Sequence, residues 1–99
     1  MKNLKIYQLD LGKGREKLYR SFDEVNVVDM DNYNLVYETT WDVKKDIFEE
    51  LEDIFRVFNI AFPEDYKGRS LSVSDIVEID GDKYYVDSIG FKKFDRHDK

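Results

Sequence analysis

Apolar positions along the chain follow two different periods, and the shorter one predicts β-strands. Residues 4–9 alternate apolar and polar side chains, which is typical of a strand with one buried face. Asp31 and Asn32 favour a turn. The following residues, 33–39, are rich in β-branched and aromatic side chains. These two segments therefore predict two strands.

The C-terminal third predicts a hairpin. Residues 76–79 and 83–87 are rich in β-forming residues, and between them lies Asp80-Gly81-Asp82, the sequence of a tight hairpin turn. Gly90 allows a bulge or a sharp bend, after which residues 91–94 predict a last short strand.

The longer period predicts one amphipathic helix from Val43 to about Phe58. Asp42 is the expected N-cap, while Asn59 and Pro63 favour termination. At helical spacing, one continuous stripe of this segment is apolar: Val43, Ile47, Leu51, Ile54, Phe55 and Phe58.

The remaining segments add smaller elements. Gly12-Lys13-Gly14 predicts a flexible turn after the first strand. A short helix is expected near Phe22, with Ser21 as N-cap and Glu24 at the capping-box position. Residues 64–74 are expected to form a loop. The polar residues 95–99 are expected to fray.

The pattern as a whole predicts an α+β domain in which one long amphipathic helix packs on a small, mostly antiparallel sheet. The length of 99 residues fits a single domain, residues 1–99, with a core spanning about residues 4–94.

Charge is distributed unevenly along this domain. The formal net charge is −6, from 16 basic and 22 acidic residues. Residues 1–22 carry six basic and two acidic residues, whereas residues 23–53 carry eleven carboxylates and two lysines. A strongly acidic field of this kind repels nucleic acid and attracts basic surfaces.

Part of this acidity lies on the predicted helix. Asp46, Glu49, Glu50 and Asp53 recur at helical spacing and are expected to form a row opposite the apolar stripe. Together with Asp42 and Trp41, they are the candidate partner-binding residues. Trp41 can alternatively act as a hydrophobic staple at the start of the helix. A solvated surface that only keeps the protein soluble is the other interpretation of the acidic row.

Residues suited to catalysis or metal binding are scarce. The chain has no cysteine, and its single histidine is His97. The pairs Asp80/Asp82 and Asp29/Asp31 are better explained as turn residues. Gly12-Lys13-Gly14-Arg15 lacks the length and the following Lys-Ser/Thr of a phosphate-binding loop. We therefore expect a protein that is not an enzyme and needs no metal or cofactor.

Alternating serines precede the hairpin, in Arg69-Ser70-Leu71-Ser72-Val73-Ser74-Asp75. Hydroxyl nucleophiles need an accompanying base, and none is evident. We instead expect Leu71 and Val73 to point into the core and Ser74 or Asp75 to cap the backbone at the strand entry.

Aromatic residues make up 15% of the chain. Several lie in the predicted strands, an arrangement that can form a stacking platform for nucleic acid, although the surrounding acidity favours a core and a protein-binding surface instead. These tyrosines are Tyr7, Tyr33, Tyr37, Tyr84 and Tyr85.

Several motifs resemble the YodL-like domain family. They are Ile6-Tyr7-Gln8-Leu9, Tyr33-Asn34-Leu35-Val36-Tyr37-Glu38, residues 51–60, residues 63–77 and the ending Tyr84-Tyr85-Val86-Asp87-Ser88-Ile89-Gly90-Phe91. The resemblance covers about residues 4–94 and is weakest from Gly12 to Asp31. It implies a bacterial mobile genetic element as the source, and no settled catalytic activity. The chain is also similar to stand-alone anti-CRISPR proteins that act on type II systems.

This resemblance implies a cytoplasmic inhibitor in the bacterial host. The expected partner is a basic nucleic-acid-binding protein, such as a CRISPR effector nuclease whose channel holds guide RNA or target DNA. The alternative is a plasmid or phage module that binds nucleic acid through its basic residues 1–22 and 92–96. Neither interpretation involves a membrane, since no apolar run reaches the length of a membrane span.

Overall fold

The computed structural model describes residues 1–25 and 28–94, which form a five-stranded antiparallel sheet and one long helix. This confirms the predicted α+β class. The strand order is β2-β1-β3-β4-β5. The strands are β1 (Lys2–Leu9), β2 (Tyr33–Trp41), β3 (Ile76–Ile79), β4 (Asp82–Val86) and β5 (Phe91–Phe94). Residues 95–99, the predicted frayed tail, lie outside the described part of the chain.

The long helix α3 (Ile47–Ile60) packs on one face of the sheet. Its residues Leu51, Ile54 and Phe58 are fully buried against Leu4 and other sheet residues. Each buried side chain of this size contributes about 1.5–3 kcal/mol relative to an exposed one. The apolar stripe therefore fixes the helix on the sheet, as its spacing predicts.

The predicted start of this helix is wrong by about one turn. The helix begins at Ile47 rather than Val43, and its N-cap is Asp46 rather than Asp42. The Asp46 carboxylate accepts a hydrogen bond from the backbone N–H of Phe48 at 3.0 Å. Val43 still packs against the core, but it does so from the segment that leads into the helix. An apolar residue in register with the stripe is therefore not by itself evidence of helix.

Residues 10–25 and 28–32 cover part of the opposite face of the sheet. They include two short helices, α1 (Leu11–Gly14) and α2 (Phe22–Val25). A second, smaller core forms here around Ile76, Tyr85 and Phe94. The capping box of α2 is confirmed, because Ser21 N–H donates to Glu24 and Glu24 N–H donates to the Ser21 hydroxyl.

The segment after β1 is a helical turn rather than the predicted flexible turn. Asp10 caps α1 by accepting a hydrogen bond from the backbone N–H of Gly12 at 2.8 Å. The backbone N–H groups of Lys13 and Gly14 donate to the carbonyl of Asp10. The aspartate cap thus outweighs the flexibility of the two glycines.

The hairpin between β3 and β4 is confirmed. Asp80 and Gly81 both have positive φ, 49° and 92°, which is the backbone of the tight turn that such strands prefer. Gly90, with φ 74°, allows the bend that precedes β5.

The loop between α3 and β3 is held to the sheet by Gln8 of β1. The Gln8 amide donates to the carbonyl of Arg69 at 2.9 Å and accepts from the backbone N–H of Arg69, also at 2.9 Å. Tyr66 adds a hydroxyl hydrogen bond to the same carbonyl at 2.6 Å. Gly68 lies against both side chains. A Cβ at Gly68 would come within 2.6 Å of the Tyr66 hydroxyl oxygen and 2.9 Å of Gln8 Oε1.

We expect Gly68→Ala to destabilise the protein by about 2 kcal/mol, because the added methyl group must push these two hydrogen-bonded side chains apart. Urea denaturation measures this loss. Gly12→Ala is the matched control, since its Cβ would meet only the Asp10 carboxylate, at 3.2 Å, and we expect a smaller effect. Equal stabilities of the two variants would contradict the close packing at Gly68.

Candidate functional site

The four carboxylates predicted to form an exposed row on α3 do not share one environment. Glu49 is exposed, and Asp46 is exposed while it caps the helix. Glu50 and Asp53 are engaged by neighbouring groups. The row as predicted is therefore only partly available to a partner.

Glu50 is the clearest correction, because its side chain is buried rather than opposite the core, with 3% of its surface exposed. One oxygen accepts a hydrogen bond from the indole N–H of Trp41 at 2.9 Å. The other accepts from the backbone N–H groups of Lys44 and Lys45 at 2.8 and 2.9 Å. The bond from Trp41, followed by that from Lys44, lowers the pKa of the Glu50 carboxyl below its usual value.

These hydrogen bonds explain why α3 begins at Ile47 rather than at Val43. Glu50 lies three residues after Ile47 and four before Ile54, so it faces the core side of the helix. From there its carboxylate holds the backbone of residues 44–45 in place of a further helical turn. The spacing to Ile47 and Ile54 was the sequence signal that could have identified this role.

Asp53 is held in a charge cluster on the helix surface. Its two oxygens lie 2.5 Å from Lys45 Nζ and 2.8 Å from Arg56 Nη1. The hydrogen bond from Lys45, followed by that from Arg56, lowers the pKa of the Asp53 carboxyl. Its negative charge is thus largely balanced within the protein.

Trp41 ends β2 and is half-buried against the helix-side core. Its indole N–H is engaged by Glu50. Trp41 therefore fixes the segment before α3 and is less accessible than an exposed interface anchor would be. That Trp41 and the helix carboxylates contact a partner stays a prediction.

The exposed carboxylates define a revised acidic surface, consisting of Asp42, Asp46, Glu49 and Glu52. Glu52 is a residue that the sequence reasoning left out. Among residues 1–25 and 28–94, Glu49 and Glu52 form no ion pair, whereas Asp42 pairs with Lys44 at 3.4 Å. This acidic surface lies on the first half of α3 and the segment before it.

The basic residues of the sheet form a different pattern. Lys5 and Lys83 flank Glu78, at 3.9 and 3.5 Å from its carboxylate oxygens. Cross-strand pairing aligns Glu38, Lys5, Glu78 and Lys83 in one row across four strands. Because the charges alternate in sign along this row, this part of the sheet is a poor phosphate-binding surface.

The strand tyrosines are buried in the two hydrophobic cores or pack against them. Tyr84 and Tyr85 are buried, which confirms the aromatic core. The Tyr85 hydroxyl donates to the carbonyl of Arg20, and the Tyr33 hydroxyl donates to the carbonyl of Ser74. Burial raises the pKa of both hydroxyl groups, and rings held in this way are not a free stacking platform.

The serine-rich segment has a structural role that confirms the predicted cap. The Asp75 carboxylate accepts hydrogen bonds from the backbone N–H of Ser72 at 2.9 Å and from the Gln8 amide at 3.0 Å. The Ser74 hydroxyl accepts from the backbone N–H of Tyr19 at 3.2 Å. Leu71 is fully buried as predicted, whereas Val73 is only half-buried.

Asp75 is almost completely buried, with 1% exposure, and no group among the described residues hydrogen-bonds to its Oδ1 atom. Burial raises the pKa of this carboxyl to about 7, against the opposing effect of its hydrogen bonds. Burial therefore favours the protonated, uncharged form of the Asp75 carboxyl inside the fold.

The aspartate pairs considered for catalysis carry structural contacts. Asp80 accepts a hydrogen bond from the backbone N–H of Asn3 at 2.7 Å and pairs with Lys2, while Asp82 pairs with Lys93. Asp29 accepts from the backbone N–H of Asp31 at 3.0 Å. Within the described residues, no group of three or more His, Cys, Asp or Glu side chains is arranged to hold a metal ion.

The fold and this surface define a small α+β domain with an acidic helix on one side of its sheet. Residues 3–96 match the family model described as YodL-like domain. The chain therefore belongs to the YodL-like domain family, as the motifs predict. No curated protein and no solved structure matches it. None of its described helices combines the length and apolar character needed to cross a membrane.

Proposed function

We propose that this protein is a non-enzymatic inhibitor from a mobile element, an anti-CRISPR protein that acts in the bacterial cytoplasm. Its acidic surface occupies a basic nucleic-acid channel of a type II effector nuclease and blocks guide RNA assembly or target DNA binding. The observation that supports this best is the position of Asp42, Asp46, Glu49 and Glu52, exposed on and before a rigid helix.

The exposed carboxylates can compete with phosphates for cations. The lysines and arginines that line an effector channel bind the phosphates of guide RNA and target DNA, and they form charge-assisted hydrogen bonds with carboxylates as well.

The buried residues support the same proposal by making the surface rigid. Because Glu50 and the apolar stripe fix α3 on the sheet, the backbone that carries the exposed carboxylates loses little freedom when they bind. Such preorganised charge complementarity speeds association and favours basic partners over acidic ones.

We expect the double variant Asp42→Lys/Glu49→Lys to bind the guide-free effector nuclease at least about tenfold more weakly, because two attractive contacts become repulsive. Both side chains are exposed, so the fold should be retained. The measurement is the Kd at two salt concentrations. The matched control is Asp31→Lys/Glu64→Lys, which changes the net charge equally through two other exposed residues. Equal weakening by both pairs would indicate a non-specific charge effect and contradict the proposed surface.

A second measurement addresses the mode of inhibition and the alternative function. Binding should be lost when the nucleic acid that it displaces, guide RNA or target DNA, already fills the channel, since both ligands compete for the same cations. If the protein itself retains RNA or DNA on a filter, with an affinity that falls steeply with salt, the nucleic-acid-binding alternative is favoured.

A further inference from the structure

The two outer strands of the sheet, β2 and β5, differ in how well they are protected against pairing with another strand. β5 has four residues, and two of them are the exposed lysines Lys92 and Lys93. Short length and exposed lysine are two of the features by which natural sheets prevent edge-to-edge association. β2 has nine residues, and none of them is lysine, arginine or proline. The edge at β2 is therefore the one that is open to another strand.

The direction of the backbone groups of β2 follows from its register with β1. The carbonyl of Asn3 in β1 accepts a hydrogen bond from the backbone N–H of Asp80 at 2.9 Å, so Asn3 directs its backbone groups towards β3. Thr40 pairs with Asn3, and Glu38 lies two residues before Thr40. Because backbone direction alternates along a strand, the N–H and C=O groups of Thr40 and Glu38 point away from β1. No described residue outside the sheet forms a backbone hydrogen bond with these groups.

A β-bulge limits the regular part of this edge to residues 37–41. The register between β1 and β2 shifts between Ile6 and Tyr7, which leaves Val36 as the extra residue of β2. Residues 37–41 follow the bulge in unbroken register with β1. An incoming strand can therefore pair with this segment without a further irregularity.

Residues 37–41 are complementary to themselves in an antiparallel pair centred on Thr39. Glu38 of each copy then lies opposite Thr40 of the other, and these two residues exchange both backbone hydrogen bonds. Tyr37 of each copy lies opposite Trp41 of the other, on the side of the sheet that carries α3. Aromatic pairs and threonine pairs are favourable between neighbouring strands.

The charges favour this register over its neighbours. An antiparallel pair centred on Glu38 sets two glutamates directly opposite each other, and a pair centred on Thr40 sets Glu38 opposite Asp42. Like charges directly opposite each other are destabilising. Only the pair centred on Thr39 therefore combines the outward backbone groups with favourable side-chain pairs.

We propose that the protein forms a symmetric dimer in which residues 37–41 of two copies pair antiparallel, centred on Thr39, and join their sheets into one. A second copy is the occupant because an open edge selects a strand and because this strand pairs favourably with itself. The dimer uses the edge of the sheet, whereas the proposed inhibitory surface lies on α3 and the segment before it. The two proposals are therefore independent.

The test is sedimentation equilibrium of the whole protein over a wide range of concentrations. We expect the natural protein to show a reversible equilibrium between monomer and dimer. Thr39→Lys sets two lysines directly opposite each other and should raise the dissociation constant of the dimer at least about fivefold. A natural protein that remains monomeric at about 1 mM would overturn the proposal and leave the edge to a strand of another protein.

Thr40→Lys is the matched control, because its lysine lies opposite Glu38 of the second copy and should not weaken the dimer. Equal weakening by the two variants would overturn the proposed pairing. The circular dichroism spectrum shows whether each variant is folded. Thr39→Glu repeats the like-charge contact and replaces Thr39→Lys if that variant does not fold.

A structural measurement distinguishes this dimer from one formed through another surface. In a mixture of isotope-labelled and unlabelled protein, we expect intermolecular NOEs between the rings of Tyr37 and Trp41. A dimer that lacks these NOEs would pair through a different surface and would overturn the proposal.

Discussion

Asp75→Asn is expected to stabilise the protein by about 2 kcal/mol at pH 8 and to flatten the dependence of its stability on pH. The Asp75 carboxyl is buried, its Oδ1 atom has no partner among the described residues, and its pKa rises to about 7 from an ordinary value of 3.8. Ionising it inside the fold costs about 4 kcal/mol on this difference. The asparagine amide avoids this cost and keeps an oxygen for Ser72 and Gln8, but buries an N–H group that lacks an acceptor, at about 1–3 kcal/mol.

The sign of the pH dependence follows from the raised pKa. Between about pH 4 and pH 7, the folded protein keeps the proton of Asp75 while the unfolded chain has lost it. The free energy of unfolding of the natural protein should therefore fall as the pH rises, by up to about 1.4 kcal/mol per pH unit. Above pH 7 the folded carboxyl is also ionised, and this contribution no longer changes.

Urea denaturation from pH 5 to pH 8 measures this effect. The difference between the natural protein and Asp75→Asn isolates Asp75 from any other group that titrates in this range. Asp42→Asn, at an exposed carboxylate, should retain the natural slope. Identical slopes for the natural protein and Asp75→Asn would show that the carboxyl is solvated or paired in solution.

Glu50→Ala should have the second large effect, a fall in melting temperature of roughly 10 °C. The substitution leaves the indole N–H of Trp41 and the backbone N–H groups of Lys44 and Lys45 without their acceptor. Trp41 is the single tryptophan, so its fluorescence should also change in the folded variant. Thermal unfolding and the emission spectrum of the folded state measure the two effects.

Glu49→Ala is the control for this prediction, because it removes an exposed carboxylate from the preceding helix position and should change neither signal appreciably. The natural protein offers a second check. Since its hydrogen bonds lower the pKa of Glu50, the stabilisation by this residue is present above its ordinary value, 4.5, and is lost as the pH falls through the lower folded value. Unchanged melting of Glu50→Ala would mean that water replaces the carboxylate at no cost.

The sequence predicts the elements of this fold well where apolar side chains recur at a single clear spacing or a turn sequence is specific. The alternating residues 4–9, the Asp80-Gly81 turn and the stripe through Leu51 each specify a local structure that the sheet and the helix retain. The start of α3 could not be placed in the same way, because it depends on hydrogen bonds from the backbone of residues 44–45 to Glu50. The spacing of Glu50 to Ile47 and Ile54 indicates that it faces the core, but it does not specify which backbone groups the carboxylate binds.

The candidate site, too, could be predicted only in part from the sequence. The sequence indicates an acidic helix, and Glu49 and Asp46 are exposed on it as expected. Whether a carboxylate is available depends on its neighbours, and Lys45 and Arg56 balance Asp53 from both sides.

The sequence by itself therefore determined the α+β class, the YodL-like family and the concentration of acid in the middle of the chain. These depend on local periodicity, motif order and composition, each of which a single sequence contains. The tertiary structure decided which carboxylates are buried, paired or exposed, and that Asp75 is isolated in the core. Burial and pairing depend on contacts between residues distant in sequence, such as Gln8 with Asp75, which only the folded chain brings together.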